Sequence, residues 1–405
     1  MSEQRVQCCI AGGGPAGMVL AYLLARAGVS VLLVEKHGDF LRDFRGDTIH
    51  PSTLEVLYEL GLLDAFLALP HQEVLELAAQ IGSRLVRIAD FSALPTHCKF
   101  VAFMPQWDFL DFFAREARRF PAFALRMRTE VTGLIEEGGR VVGVRAEGEE
   151  GPLEVRADLI VAADGRGSTL RSCADLHVDD LGAPMDVLWF RLTHRDSDPS
   201  QTLGHIEAGR MMVLINRAEH WQCAHVIAKG SFEAIRARGL DAFRADVAHL
   251  APFAADRLHE IASWDDVKLL TVRVDRLPRW YRPGLLCIGD AAHAMSPVGG
   301  VGINLAIQDA VAAANILAQP LREGQLATED LQRVQKRREL PTRLTQRLQI
   351  AIQTRVIGRV LGDARPIEVP LIVRLLNRFR SLRRIPAWLI GIGIRPEHVR
   401  SHSAQ

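Results

Sequence analysis

The first 35 residues contain the pattern that most restricts the fold of this chain. An apolar segment at 6–11 runs into Gly12-Gly13-Gly14-Pro15-Ala16-Gly17, then into an apolar stretch that ends at Gly28, and then into a second apolar segment that ends at Glu35. Proline suits a first helical turn, because the N–H that it lacks would have no partner there, and glycine commonly ends a helix. The pattern predicts a strand–helix–strand unit of a doubly wound α/β domain.

This unit has the features of a dinucleotide-binding site. Glycines let the backbone approach a pyrophosphate, and the helix N-terminus offers its phosphates free N–H groups and partial positive charge. An acid at the end of the second strand can accept hydrogen bonds from ribose hydroxyls, which favours FAD or NAD over NADP. The predicted contacts are Gly12, Gly14, Pro15, Ala16, Gly17 and Glu35.

Two later glycine-rich segments have the form of further parts of the same site. The first, Ala163-Asp164-Gly165-Arg166-Gly167-Ser168, follows the apolar segment 159–163, and the second, Gly289-Asp290-Ala291-Ala292-His293, follows 285–288. We expect Asp290 to bind a ribityl hydroxyl. A helix that begins near Gly302 would direct its N-terminus at the flavin edge where negative charge develops on reduction.

The middle of the chain differs in pattern from both ends. Short alternating segments between about 180 and 275 predict an antiparallel sheet, whereas the chain beyond 330 is predicted to be helical, with breaks at its prolines. We therefore predict an α/β fold: a Rossmann-type FAD-binding domain (GR2-like), an inserted antiparallel β-sheet substrate domain and a helical C-terminal segment. The predicted limits are 1–75, 100–178 and 272–330 for the first, 76–99 and 179–271 for the second, and 331–405 for the third.

Composition excludes several other classes of protein. With 48% hydrophobic and 24% charged residues, the chain is typical of a globular protein. It has no apolar run of the ~18 residues that a membrane helix needs and no export signal at its start. The six cysteines form no CxxC pair, so we expect free thiols, no metal site and a cytoplasmic location. Nothing in the sequence predicts binding to nucleic acid.

Charge is unevenly distributed along the chain. Residues 331–405 hold 16 Lys and Arg but only 4 Asp and Glu, a net charge of +12, although the whole chain has a net charge of +1. The composition favours a solvated helical tail that packs on an acidic body. The alternative is weak contact with a membrane surface through the amphipathic, basic segment 371–379 and the apolar segment 385–390.

In combination, the three glycine-rich segments resemble the para-hydroxybenzoate hydroxylase-like family of single-component flavoprotein monooxygenases, over about residues 5–330. The resemblance implies tight non-covalent FAD, transient NADH or NADPH, and O₂, which forms a flavin C4a-hydroperoxide that hydroxylates a small or medium aromatic or heteroaromatic substrate. No second dinucleotide motif is present, so the choice between NADH and NADPH stays open. The further cofactor contacts that the resemblance implies are Lys36, Arg45, Gln106, Val131, Asp164, Gly165, Gly289, Asp290, Pro297, Gly299, Gly300, Val301, Gly302, Ile303 and Asn304.

Candidates for contact with the substrate are less specific. Pro297 matches the proline beside the reactive flavin carbon, and the other catalytic candidates are His205, His225 and Arg191. The predicted pocket residues are Trp189, Met211, Trp221 and His225. A flavin dehydrogenase or reductase that does not use O₂ and a non-catalytic redox sensor remain alternatives, as do a monomer and a homodimer.

Overall fold

The computed structural model describes residues 2–41, 48–199, 203–217, 219–362 and 371–404. The described strands are β1 (Ser2–Ala11), β2 (Val31–Val34), β3 (Thr48–Ile49), β4 (Gln72–Val74), β5 (Glu76–Ile81), β6 (Arg84–Asp90), β7 (Val101–Phe103), β8 (Phe123–Arg126), β9 (Glu130–Glu137), β10 (Arg140–Gly148), β11 (Gly151–Ala162), β12 (Asp179–Asp180), β13 (Met185–Thr193), β14 (Leu203–Glu207), β15 (Arg210–Asn216), β16 (His220–Ala228), β17 (Lys268–Leu270), β18 (Asp275–Arg276), β19 (Tyr281–Arg282) and β20 (Leu285–Cys287).

Some helices connect these strands, and the described chain after β20 contains helices but no strand. The described α-helices are α1 (Pro15–Arg26), α2 (Pro51–Glu59), α3 (Leu63–Leu67), α4 (Gln106–Ala117), α5 (Thr169–Cys173), α6 (Phe232–Ala237), α7 (Leu240–Leu250), α8 (Val301–Arg322), α9 (Thr328–Ile352), α10 (Gly358–Gly362), α11 (Leu371–Arg378) and α12 (Arg384–Gly391). Short 3₁₀ turns precede α8 at Val298–Gly300 and follow α7 at Pro252–Glu260.

The first sheet has eight strands, and its parallel part positions the glycine-rich segments. Strands β8, β2, β1, β11 and β20 are neighbours in that order and all run parallel. Ala11 pairs with both Val34 and Ala162, and Ala162 pairs with Cys287. The carboxyl ends of these strands therefore lie side by side, which is the edge where open α/β sheets bind their ligands.

The second sheet has seven strands in the order β17-β13-β16-β15-β14-β5-β6 and is antiparallel except where β14 meets β5. One face is covered by α7 and the 3₁₀ turn after it, because Phe190 and Trp221 share a core with Phe243 and Val247. Trp189 and Val213, one residue out of phase, lie in other clusters on the opposite face. The predicted fold class, with its inserted sheet, is confirmed; the exact domain limits stay predictions.

The helical C-terminal segment differs from the prediction at two of the four prolines where we expected breaks. Pro386 lies in the first turn of α12, and Pro366 and Pro370 lie outside the described residues. At Pro341, α9 continues without interruption. Buried glutamine side chains on α9 explain this, because Gln335, Gln346 and Gln349 donate to the carbonyls of Pro278, Asp275 and Ser296. These tertiary hydrogen bonds offset the cost of a proline inside a helix, about 3 kcal/mol.

One described helix, α8 with the turn before it, is long and apolar enough to cross a membrane. Sequence inspection missed it because polar residues such as Asp309 interrupt the apolar run. In the structure 61% of its apolar window is buried inside the protein. Here α8 packs against α1 and α9 and forms part of the main hydrophobic core.

Candidate functional site

The turn between β1 and α1 needs its glycines for steric reasons. Gly12 has a φ of +104°, and a Cβ there would overlap the backbone of Ala163 on the neighbouring strand. A Cβ on Gly17 would overlap the carbonyl of Gly12, so α1 can lie this close to the strand end only with glycine. Gly14, the N-cap of α1, faces open space instead. This is the arrangement that lets a ligand reach the helix N-terminus.

The acid after β2 lies directly beside this turn. Glu35 is 9% exposed, and its carboxylate accepts from the backbone N–H of Gly13 at 2.8 Å and of His37 at 3.1 Å. A carboxylate oxygen can accept more than one hydrogen bond, which is the chemistry that a ribose hydroxyl requires of its partner. Lys36 turns away and lies 4.0 Å from Glu130 at the surface, while the neighbouring Val131 is buried in β9.

The segment after β11 brings a second carboxyl to the same edge. Asp164 accepts from the N–H of Leu170 at 3.3 Å, but its Oδ1 is buried with no hydrogen-bond partner among the described residues. Burial raises the pKa of this carboxyl. Gly165 has a φ of +85° and, like Gly167, faces open space. A buried acceptor beside an open glycine turn is suited to a ligand that donates hydrogen bonds.

The Gly-Asp turn after β20 completes this edge. Gly289 packs so closely that a Cβ would lie 3.1 Å from Ala16 Cβ on α1 and 3.2 Å from Ala306 Cβ on α8. Asp290 is partly exposed, and its Oδ2 accepts from Arg166 Nε at 3.1 Å. The second and third glycine-rich segments are thereby joined by an ion pair.

The N-terminus of α8 is the second uncapped helix end in this region. Gly299 and Gly300 have φ of 77° and 63°, and within the described residues neither α1 nor α8 has a side-chain cap or an acidic residue in its first turn. Both helix ends therefore keep N–H groups and partial positive charge for an anionic or electron-rich ligand. Pro297 and Val301 are half-buried beside them.

Three other predicted cofactor contacts have a mainly structural position. Ile303 is buried in the core, and a Cβ on Gly302 would contact Met295 at 3.4 Å. Asn304 uses its side chain to hold the preceding chain segment: its Nδ2 donates to Thr48 O at 3.0 Å, and its Oδ1 accepts from His50 N at 2.9 Å. Gln106 begins α4 and is half-buried. Arg45 lies outside the described residues.

Sequence reasoning missed His50, which lies next to this helix end. Its ring is buried, and burial lowers its pKa to about 4, so the ring is neutral at physiological pH. Its Nδ1 lies 2.7 Å from the carbonyl oxygen of Ile390. Since a carbonyl only accepts, Nδ1 must carry the proton, which leaves Nε2 as an acceptor. No motif pointed to this histidine, because its partners are 254 and 340 residues away in the chain.

Sequence reasoning also missed a fully buried ion-pair network behind the Gly-Asp turn. Asp309 on α8 contacts His293 Nε2 at 2.6 Å and Arg338 Nε at 3.0 Å, and it accepts from the N–H of Gly289 at 3.1 Å. Burial alone would raise the pKa of this carboxyl, but His293 and Arg338 hold it below its usual value. The network therefore fixes the turn that presents Asp290.

The seven-stranded sheet places the predicted substrate residues on two different faces. Trp189 and Met211 lie on the face turned toward the α8 N-terminus, where Met211 shares an apolar cluster with Val298. Arg191 has the same strand parity as Trp189 and is exposed. These three remain candidates for contact with the substrate.

The other predicted substrate residues lie on the opposite face, beneath α7. Trp221 donates from Nε1 to Asp198 at 2.9 Å, the ring of His225 packs 5.7 Å from that of Phe243, and His205 Nδ1 lies 2.5 Å from Leu250 O. Strand alternation explains the correction, since residues of the other parity point away from the face that is turned toward the α8 N-terminus. The structure thus places His205, His225 and Trp221 in the packing of the sheet, not in a substrate pocket.

The residues at the carboxyl edge fit a bound FAD. Two helix ends without side-chain caps, the acid Glu35, the Oδ1 of Asp164 that has no hydrogen-bond partner among the described residues, and glycines that face open space lie at one edge. Within the described residues, no cluster of three or more His, Cys, Asp or Glu forms a metal site. The described cysteines are free, and all but Cys173 are buried.

Comparison with known proteins agrees with this geometry. A family model described as an FAD binding domain matches residues 5–347. The chain is 35% identical over 384 residues to a 6-methylpretetramide 4-monooxygenase of Streptomyces rimosus, covering 93% of this chain and 91% of that protein.

Two solved structures share the fold. The p-nitrophenol 4-monooxygenase PnpA of Pseudomonas putida DLL-E4 aligns with a TM-score of 0.77 and 20% identity, over 96% of this chain and 97% of that one. The OxyS anhydrotetracycline hydroxylase of Streptomyces rimosus aligns with a TM-score of 0.75 and 23% identity, over 96% and 77%. The predicted family resemblance is confirmed, and the chain belongs to the FAD-binding domain family of FAD-dependent aromatic monooxygenases.

Proposed function

We propose that this protein uses NADH or NADPH and O₂ to hydroxylate an aromatic ring of a polycyclic phenolic substrate. The observation that supports this most is the placement of the glycine-rich segments and two uncapped helix ends at one sheet edge. That edge meets the apolar face of a second sheet, where Met211 and Val298 share a cluster. Such a junction has space for a cofactor on one side and an apolar substrate on the other.

The substrate class follows from the relatives together with the apolar face. The curated relative at 35% identity is named for action on 6-methylpretetramide, and two others at 30% identity are named for action on anhydrotetracycline. The side chains of Trp189, Val213 and Ala224 on the cleft-facing side of the sheet are suited to a flat, apolar ring system. A multi-ring phenolic compound fits these features better than a small single ring.

Each part of the site has a distinct task in this proposal. The N-terminus of α1 and Glu35 would hold the pyrophosphate and the adenosine ribose, Asp290 would hold the ribityl chain, and the N-terminus of α8 would stabilise negative charge on the flavin. Bound FAD would supply the redox chemistry, accepting a hydride and activating O₂. The apolar side chains around Met211 and Trp189 would orient the ring and keep water away from it.

The test is substrate-stimulated turnover of the FAD-loaded protein. NADH and NADPH oxidation, O₂ uptake and hydrogen peroxide are measured with a panel of single-ring phenols and fused-ring phenolic compounds, and products are examined for a gain of one oxygen atom. Asp290→Asn serves as the cofactor-site variant, and Asp265→Asn, an exposed aspartate outside the site, serves as its control.

Stimulation by a fused-ring phenol with little peroxide and a product heavier by one oxygen would support the proposal. The Asp290→Asn variant should lose this activity, and the Asp265→Asn variant should keep it. Turnover of a substrate that consumes no O₂ would instead indicate a dehydrogenase or reductase. Slow oxidation that no compound stimulates would indicate a redox sensor.

A further inference from the structure

The C-terminal segment presents an unusual set of exposed apolar side chains. Large apolar residues on or beside α11 and α12 are exposed by 72%, 40%, 50%, 60% and 41%: Leu371, Leu375, Phe379, Ile385 and Trp388. Both helices pack against β6. We call these five residues the C-terminal patch. Exposed apolar residues concentrated on adjoining elements mark a contact surface, whereas scattered ones do not.

The segment that carries the C-terminal patch has charge of a single sign. Residues 371–392 include five arginines and no aspartate or glutamate. A crevice of about 400 Å³ lies between β6 and α11 and is lined by Arg84, Val86, Arg374, Asn377 and Arg378. Among the described residues, no carboxylate forms an ion pair with Arg84 or Arg378. Guanidinium groups that converge on one crevice are suited to a phosphate.

Two acids in the described residues near the crevice form ion pairs with arginines outside it. Glu76 lies 3.0 Å from Arg87, and the buried Asp90 lies 2.9 Å from Arg380. The packing expected from the sequence, a basic tail on acidic residues, therefore applies to Arg380 but, within the described part of the chain, not to Arg84 or Arg378.

The position of the segment is fixed from its inner side. Val373 packs with Val86 and Ile88, and Asn377 Oδ1 accepts from the N–H of Arg87. Farther along, Ala387 is fully buried, in a cluster that also contains Ile390. These inner side chains hold the segment against the protein, whereas the side chains of the C-terminal patch remain exposed.

We propose that the C-terminal patch binds the surface of an anionic phospholipid bilayer. Lipid phosphate groups would occupy the arginine crevice, and the exposed Leu, Ile, Phe and Trp side chains would lie at the boundary between headgroups and acyl chains. Arginines interspersed with large apolar residues, including the aromatic residues Phe379 and Trp388, suit an environment of charged headgroups above apolar acyl chains. An acidic protein surface would match the arginines but would leave the apolar side chains without a comparable environment.

Helix α12 also borders the face of the seven-stranded sheet where we propose that the substrate binds. Ala387 and Ile390 of α12 share their cluster with Trp189 and Val213, while Ile385 and Trp388 of α12 are exposed. One short helix therefore separates the proposed bilayer contact from the apolar face of the cleft. This arrangement would bring a substrate dissolved in the bilayer close to the cleft.

The test is co-sedimentation of the full-length FAD-loaded protein with vesicles of phosphatidylcholine alone and with vesicles that contain 30% phosphatidylglycerol. We expect binding only to the second kind, weakened by salt because surface charges are screened. The variant Arg84→Glu/Arg378→Glu should bind at least about tenfold more weakly. Phe379→Ser/Trp388→Ser should also bind more weakly, even at low salt.

Matched controls separate the patch from general charge and hydrophobicity. Arg118→Glu/Arg279→Glu makes the same change in net charge at exposed arginines elsewhere, and Leu340→Ser/Leu348→Ser removes exposed leucines of α9. Both controls should bind like the unchanged protein. Flavin absorbance and thermal unfolding check that each variant is folded.

Three outcomes would overturn the proposal. They are absence of binding to anionic vesicles, equal loss of binding in the control and patch variants, and binding of polyglutamate but not of vesicles through Arg84 and Arg378. The last would assign the patch to an acidic protein partner. Quenching of tryptophan emission by brominated lipid that is reduced in Trp388→Phe would place this side chain in the bilayer and support the proposal. Absence of that reduction would contradict the proposed orientation.

Discussion

The carboxyl edge of the eight-stranded sheet and the two faces of the seven-stranded sheet could be predicted from the sequence to very different degrees. At the edge, the segments after β2, β1, β11 and β20 lie together as expected, because the parallel register brings their ends side by side. On the second sheet, the strands were predicted correctly, but half of the predicted pocket residues point under α7. A sequence motif shows where the fold sterically requires glycine. It does not show which face of a strand is turned toward the substrate.

The steric requirements concern single positions. Gly12 and Gly17 cannot carry a Cβ without overlapping backbone, and this constraint is visible in the sequence as glycine. Strand orientation depends instead on which neighbouring element covers a face. Trp189 and Trp221 both lie in strands with buried residues on each face, so alternation alone does not tell the cleft side from the helix-covered side.

The largest expected effect tests whether the buried network behind the edge holds it in place. Asp309→Asn would leave the buried Arg338 with Glu397, at 3.4 Å, as its remaining carboxylate partner among the described residues, and it would replace the carboxylate beside His293 by a neutral amide. The free energy of unfolding should therefore fall by about 3 to 5 kcal/mol. The Gly289 turn should loosen as well, and FAD affinity should fall. Urea unfolding followed by circular dichroism and flavin titration of the apoprotein measure the two effects.

A surface ion pair on α9 provides the matched control for this change. Asp330→Asn removes the partner of Arg333, whose side chain is 64% exposed, and should cost less than about 1 kcal/mol. If Asp309→Asn cost no more than this control, the network would not be what stabilises the edge.

The second prediction compares two glycines of the same turn. Gly12→Ala should lower the free energy of unfolding by at least about 2 kcal/mol, because its φ of +104° is strained for alanine and its Cβ would overlap Ala163. Gly14→Ala, at a φ of −70° and facing open space, should leave stability nearly unchanged. Urea unfolding of both apoproteins measures this difference.

The same pair distinguishes folding from cofactor contact. If the ligand lies against the α1 N-terminus, Gly14→Ala should still weaken FAD binding, measured by flavin fluorescence quenching. Unchanged FAD affinity in a stable Gly14→Ala variant would argue that the pyrophosphate lies elsewhere.

The third prediction compares two tryptophans on opposite faces of the second sheet. Trp189→Phe should raise the KM for the aromatic substrate by about tenfold, because it reshapes the proposed pocket, with little effect on stability. Trp221→Phe should leave KM unchanged but cost about 1 to 3 kcal/mol of stability, since Asp198 loses a buried hydrogen bond. Steady-state kinetics and urea unfolding measured on both variants test the assignment of faces, and reversed effects would overturn it.

The parts that could not be predicted have a common physical cause. His50, Asp309 and Arg338 act through contacts between segments that are distant in the chain, so no local pattern identifies them. The continuation of α9 through Pro341 could not be predicted for the same reason, because the side chains of Gln335 and Gln346 hold this helix by hydrogen bonds to other elements. Local rules describe turns and strand ends well; they do not describe what lies against a helix.

The smallest expected effect concerns His225, predicted from the sequence as a catalytic candidate. Burial lowers its pKa to about 4, and neither ring nitrogen has a hydrogen-bond partner among the described residues. At pH 7.5 the ring is neutral in both the folded and unfolded states. His225→Phe should therefore leave kcat/KM unchanged and alter the free energy of unfolding by less than about 1.5 kcal/mol. A tenfold loss of kcat/KM with normal stability would return His225 to the substrate site.

The pH dependence of the free energy of unfolding should also distinguish His225→Phe from the unchanged protein. Because the folded-state pKa of His225 lies below the ordinary value of 6.5, the unfolded state binds more protons as the pH falls. The stability that the neutral ring allows is present above pH 6.5 and is lost progressively down to about pH 4, by about 3 kcal/mol. Phenylalanine does not titrate, so His225→Phe should lose less stability over this range, and His50 titrates equally in both proteins. Urea unfolding at pH 7.5 and pH 4.5 measures the difference, and parallel losses in the two proteins would show that His225 is not buried beneath α7.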